Sequence, residues 1–269
     1  MKHLIVTADD FGISTDTNEA VERAHREGIL TTASLMVAEG AAQDAVRRAR
    51  GMPNLGVGLH LALSNGRSML SRERIPDLVD ASGSFDTHLV RAGIRYFASP
   101  RVRAQLRAEI RAQFEAFAAT GLPLDHVSGH NHLYVHPTLF AMVLEIGPEF
   151  GMKSVRVPFE PCALTAAGIG NALLVAPWAA RMRTRLKRSG IFANDAVFGL
   201  NDTGRLDEAR ALRIIDRLPD GVSELYTHPQ SSRSPGYARI EELQALLSPR
   251  VRAAIAERGV ALVTYGAVA

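Results

Sequence analysis

The sequence predicts an α/β fold in which βα units wind a parallel sheet, and its eight candidate strands suggest a barrel. Three observations lead there. Short β-branched apolar runs alternate with longer amphipathic segments from end to end. Reactive polar side chains recur at the carboxyl ends of those runs, where α/β folds build their sites. Finally, 269 residues that are 46% hydrophobic suit one sizeable core, so residues 1–269 read as a single domain.

Strands are expected at 3–9, 31–37, 55–63, 124–130, 154–159, 195–200, 222–228 and 260–266. Helices fall between them. One spans 15–27, opened by Ser14 or Thr15 as a cap and stopped by Gly28. A second spans 100–119, with Pro100 in its first turn and Gly121 beyond its end, and a third covers 206–217. Two stretches break the rhythm and read as insertions, at about 64–99 and 161–192.

Composition excludes several classes. The 31 Lys and Arg residues against 28 Asp and Glu leave a net charge of only +3, spread along helix-like segments, so no nucleic-acid partner is expected. The single cysteine, Cys162, forbids an internal disulfide and fits a reducing compartment. "MKHLIVTADD" turns acidic too early for a signal-peptide core, and no apolar run nears the roughly 18 residues that span a bilayer. A cytoplasmic protein is expected, with peripheral contact at the inner membrane left open; oligomeric state stays open too.

The chemistry lies at four strand ends. "LIVTADDFG" runs from apolar β-formers straight into two carboxylates, Asp9 and Asp10. His60 lies in "VGLHLAL", "HVSGHNHLYVHP" closes the fourth strand, and "SELYTHP" brings Glu224 and His228. Six of the nine histidines, His60, His126, His130, His132, His136 and His228, fall on these segments. Singly, each has a plain reading: a turn, a cap, a satisfied core histidine. Together they form a pattern, because one carboxylate with two imidazoles is a common holder for a divalent metal. A metal also rationalises the aspartate pair, one binding the ion while the other stays ionised as a base. Gly12 is expected to make the turn that lets both side chains reach the barrel mouth.

In order and spacing, "TADDFG", "VGLHLAL", "GHNHLYVHP" and "ELYTHP" resemble the YdjC-like (ChbG-type) carbohydrate deacetylases, metal hydrolases on an irregular TIM-like (β/α) barrel. The likeness covers essentially the whole chain. It implies Asp9 as general base, Asp10, His60 and His130 as metal ligands, and His228 as general acid or transition-state partner. Asn18, in "STDTNEAV", and Arg156, in "VRVPFEP", match positions kept near the family's site; Glu224 is a further supporting candidate. Where the family's loop often reads H-x-H-x-H-x-H, Tyr134 replaces the third histidine, and His132 stays as runner-up ligand. The runs "AVERAHREGILTTASLMV", "IPDLVDASGSF" and "RAEIRAQFEAFAATGLPLDHV" look most like the branch associated with hopanoid biosynthesis (HpnK), which implies an N-acetylglucosaminyl hopanoid as substrate.

The implied reaction is hydrolysis of a linear amide C–N bond with one divalent metal, zinc or magnesium first, cobalt or nickel otherwise. Asp9 would take a proton from water. His228 would protonate the leaving amine. The segment 168–192 joins an apolar stretch and Trp178 to Arg181, Arg183, Arg185, Lys187 and Arg188, which suits either docking on an anionic membrane or an ordinary barrel helix with a solvated basic face. Two other substrates or roles compete: soluble N-acetylated chito-oligosaccharides, and a non-catalytic sugar- or lipid-binding barrel. A phosphoesterase fits less well, since no phosphate-cradling glycine loop is present.

Overall fold

The computed structural model describes residues 1–86, 88, 99–161, 169–232 and 239–269, with the backbone alone for 169–175. Its first strand, β1 (Lys2–Phe11), lies inside a curled parallel sheet. Leu4, Ile5, Val6 and Ala8 are fully buried, so the strand reads as a continuous apolar run rather than an alternating one. β6 (Gly221–Thr227) pairs with it from Lys2 to Ala8, and β2 (Thr32–Leu35) pairs with it from Thr7 to Phe11. β3 (Gly56–Leu61) and β4 (Val127–Gly129) extend the sheet past β2, while β5 (Ala196–Phe198) lies beyond β6. β7 (Ala261–Leu262) pairs only with His3 and Leu4 at the base of β1.

The strand expected at 154–159 does not form. Ser154 and Val155 make only isolated bridges, to Phe192 and Val127. Further on, the Asn194 side chain takes both backbone groups of Val157, at 2.7 and 3.0 Å, where a ladder partner would sit. Pro158 then has no N–H to donate. The segment nonetheless joins the sheet's edges: Val127 N of β4 donates to Ser154 O at 3.0 Å, and Val197 N of β5 donates to Phe159 O at 2.8 Å. The result is an irregular barrel. The strands expected at 124–130, 195–200 and 260–266 are likewise shorter than expected, β5 ending at Gly199, whose φ is +97°.

The helices follow their signals more closely. α1 (Thr15–Glu27) is capped by Ser14, which accepts from Thr17 N, and Gly28 ends it. α2 (Ala42–Arg50) follows β2. α3 (Pro100–Ala119) starts with proline in its first turn, and α4 (Pro137–Ile146) follows the histidine-rich loop. α5 (Ile169–Arg188) contains Pro177. α6 (Glu208–Asp216) is capped by Asp207 and starts two residues inside the expected span. α7 (Arg239–Leu247) and α8 (Pro249–Glu257) complete the outer layer.

Within the first expected insertion, residues 64–86 form turns and two antiparallel bridges, Arg67 with Ser84 and Val79 with Phe85. They bury Leu70, Ile75, Leu78 and Phe85. Glu109 on α3 anchors them by accepting from Met69 N and Leu70 N at 2.8 and 3.0 Å. Residues 87, 89–98, 162–168 (with Cys162) and 233–238 lie outside the described residues.

Candidate metal centre and catalytic site

A bulge in β1 brings two adjacent carboxylates to one mouth. Between Ala8, opposite Ala33, and Phe11, opposite Leu35, the strand carries one residue more than β2. Asp10 absorbs the excess with φ at +61°. A non-glycine residue there costs about 1–2 kcal/mol. The turn thus begins at Asp10 itself, earlier than expected, and Gly12 (φ +98°) completes it. Gly12 could not carry a side chain easily, because a Cβ would lie 3.1 Å from Met36 O.

Asn18 holds this turn from below. Fully buried, it accepts from Gly12 N at 2.8 Å and donates to Ala41 O and Asp44 Oδ2, both at 3.0 Å. It supports the aspartate loop and does not line the cavity.

Asp10, His60 and His130 meet at the mouth, offering one donor atom each, all within 4.8 Å of one another. His130 Nδ1 lies 2.9 Å from Asp10 Oδ1, while His60 Nε2 stands 3.6 Å away, beyond a hydrogen bond. An oxygen and two imidazole nitrogens are a donor set that zinc and its divalent neighbours accept, so these residues fit a metal. Electrostatics agree at Asp10 and His60. Burial pushes the Asp10 carboxyl up, but the His130 hydrogen bond and the neighbouring imidazoles hold it far below the carboxylate range. Burial pushes His60 down to about 4, which leaves it neutral as a ligand must be. His130 is lowered by burial too, yet its hydrogen bond with Asp10 carries it above the ordinary value.

Asp9 has a different partner. The fully buried Arg156 donates Nη1 to Asp9 Oδ2 at 2.6 Å and Nη2 to Asp9 Oδ1 at 2.9 Å. Its other edge grips Glu224, with Nε at 2.9 Å from Oε2 and Nη2 at 2.6 Å from Oε1. Tyr265 OH donates to Glu224 Oε2 at 2.6 Å, and Tyr134 OH to Arg156 O at 2.6 Å. Burial alone would raise Asp9. Arg156 outweighs it, so Asp9 stays ionised well below the carboxylate range. Tyr134, at the place of the family's third histidine, is therefore an anchor inside the barrel, made possible by Gly129, whose Cβ would lie 2.6 Å from the Tyr134 ring.

A cavity of about 470 Å³ opens above these groups, lined by Asp9, Asp10, His60, His130, His132 and His228 with an apolar wall of Phe159, Leu200 and Tyr226. His228 packs edge-on to Tyr226 at 4.6 Å and is tied at its backbone N to Glu242 Oε2 at 2.5 Å. His132 sits against the same ring at 5.4 Å, with φ +53°, and is outside the group of three donors. Burial pushes it down to about 3. Arg156 and Glu224 lie beneath the floor and do not line the cavity.

Sequence reasoning missed Glu160, Asn201 and Arg239, which also line the cavity. Glu160 accepts from Asn201 N at 2.9 Å, and burial raises its carboxyl. It also missed Ser128, bonded to His60, and Ser34 behind it, although their polarity inside apolar strands was visible. On α5, Arg183 and Arg185 lie over the Phe159 and Phe140 rings at 5.2 and 5.7 Å, whereas Trp178 (45% exposed), Arg181, Lys187 and Arg188 face outward. None of the helices among the described residues is long and apolar enough to cross a membrane.

Comparison with known proteins gives a consistent picture. The family described as YdjC-like protein matches residues 3–257. A carbohydrate deacetylase of Geobacillus stearothermophilus is 32% identical, covering 98% of this chain and 97% of its own length. Mouse carbohydrate deacetylase is 31% identical over 96% of this chain and 92% of its own. A chitooligosaccharide deacetylase of Proteus mirabilis is 28% identical, with 98% of each chain covered. A crystal structure from Enterococcus faecalis, provisionally described as a cellobiose-phosphate cleavage protein, superposes with a TM-score of 0.81 at 23% identity over 100% of this chain and 99% of its own, and so shares the fold.

Proposed function

This chain belongs to the YdjC-like family, and on that premise we propose that it is a carbohydrate deacetylase that hydrolyses the acetamide of an N-acetylated amino sugar at the Asp9–Asp10 mouth. The observation that carries the reading is the division of labour between the two aspartates. Asp10 joins His60 and His130 in a donor set, while Asp9 is held ionised beside it by Arg156.

Asp10, His60 and His130 would hold a divalent ion, which when bound would supply Lewis acidity for the acetamide carbonyl and for water beside it. Asp9, at the cavity wall, accepts the proton of the attacking water. The Arg156 guanidinium keeps this carboxylate ionised, in the form that can accept a proton. Arg156 also fixes its direction, since both carboxylate oxygens are bound on the far side from the cavity. His228, across the mouth, delivers a proton to the departing nitrogen, which leaves as an amine and not as an amide anion. Tyr226, Phe159 and Leu200 offer an apolar wall against which a sugar ring packs.

Two substrates fit this chemistry. Soluble chito-oligosaccharides are supported by the relatives named for them. An N-acetylglucosaminyl hopanoid is supported by the runs that resemble the hopanoid-associated branch and by the exposed Trp178, Arg181, Lys187 and Arg188 of α5, which suit an anionic membrane surface. Purified protein offered N-acetylated chito-oligosaccharides in solution and the hopanoid in anionic vesicles, with products read by mass spectrometry, separates them. Loss of one acetyl group from the soluble sugar alone removes the lipid reading. Loss from neither leaves the binding-barrel alternative in front.

A further inference from the structure

A line of buried polar side chains runs down the barrel interior from His60 and plays no part in the reaction as described. His60 Nδ1 lies 2.8 Å from Ser128 Oγ; Ser128 Oγ donates to Ser34 Oγ at 3.0 Å; Ser34 Oγ lies 3.0 Å from His126 Nε2; and His126 Nδ1 lies 3.0 Å from Asp125 Oδ2. Ser34, Ser128 and His126 are fully buried, and His60 nearly so. The fold makes room for the line. His60 and Ser128 are register partners on β3 and β4, and Ser34 faces Gly58, where a Cβ would lie 2.5 Å from the His126 ring. Tyr265 stacks on His126 at 4.6 Å, and Asp125 Oδ1 accepts from Gly266 N at 2.7 Å.

Hydrogen-bond direction is set from both ends. Ser128 has one hydroxyl proton and gives it to Ser34, so towards His60 it can only accept. The Asp125 carboxylate accepts only, so His126 presents Nδ1–H to it and leaves Nε2 to accept from Ser34. Both constraints point the same way. We infer that the Asp125–His126–Ser34–Ser128 line is a positioning device that holds His60 as its Nδ1–H tautomer, so that the bare Nε2 faces Asp10 and is ready to bind a divalent metal. The inference rests on the metal reading of Asp10, His60 and His130, but not on which acetylated sugar is cleaved. Such outer partners fix the ring and tautomer of a ligand, and their loss costs about 10–100-fold in metal affinity.

Two readouts test it without substrate. Long-range ¹H–¹⁵N correlation on the metal-free protein reports the His60 tautomer, and titration with zinc against a competing chelator reports affinity. The wild type should show Nδ1–H at His60. Ser128→Ala should lose that preference and bind zinc about 10–100-fold more weakly. Asp125→Asn should weaken zinc binding too, from the far end of the line. Ser128→Thr keeps the hydroxyl and should restore wild-type behaviour, which separates the hydrogen bond from general damage to packing. Nε2–H at His60 in the wild type, or wild-type zinc affinity in Ser128→Ala, would overturn the positioning role while leaving the metal reading intact. A wild type that takes up no zinc, with acetate release unaffected by chelators, would instead remove the metal reading and this inference with it.

Discussion

Asp9 and Asp10 adjoin in sequence but differ in surroundings: one is clamped by a guanidinium, the other faces two imidazoles. The residue types at the mouth were legible in the sequence because charged and imidazole groups closing apolar strands are conspicuous. Their separation was not, since it depends on the bulge at Asp10 and on Arg156, which arrives from 147 residues away. His228 carries the sharpest prediction at this scale. It lines the cavity but stands outside the donor set, so His228→Ala should lower kcat about 10²–10⁴-fold while zinc content stays at the wild-type level. Metal lost from that variant, measured by atomic absorption, would move His228 into the ligand set.

Among the elements, helices with local signals kept their expected limits, as α1 does between Ser14 and Gly28. Strands failed where a side chain substituted for a neighbour, as Asn194 does at Val157, because no local pattern reveals that partner. Asn18 shows the converse: its position in α1 was picked out by resemblance, but its work is to tie α1 and α2 to the turn after β1. Asn18→Ala leaves buried polar groups at Gly12 and Ala41 without this partner. It should cost about 1–3 kcal/mol in denaturant unfolding, with reduced activity because Asp10 loses its support. Unchanged stability would show that the turn holds itself.

Across the whole molecule, the curled sheet places chain ends and middle around one buried ionic group. Arg156 joins Asp9 of β1 to Glu224 of β6, and Tyr265, near the C-terminus, completes it. An α/β barrel was legible from the alternation of runs; its irregular closure through 154–159 was not, because isolated bridges leave no periodic signature. Removing the cation strands two carboxylates in the interior. Arg156→Met should therefore destabilise the fold by about 3–5 kcal/mol, far more than a surface arginine such as Arg181, whose replacement should be close to neutral. Equal unfolding midpoints for the two variants would contradict the central role of this ion group.

The most direct measurement is acetate release from an N-acetylated chito-oligosaccharide by the wild type, Asp9→Asn and Asp10→Ala, each stripped with a chelator and then resupplied with zinc. The wild type should lose activity on stripping and regain it with zinc; Asp9→Asn should bind zinc yet stay inactive; Asp10→Ala should fail at both. Undiminished activity in the stripped wild type, or in Asp9→Asn, would contradict a division of labour between ion holder and base.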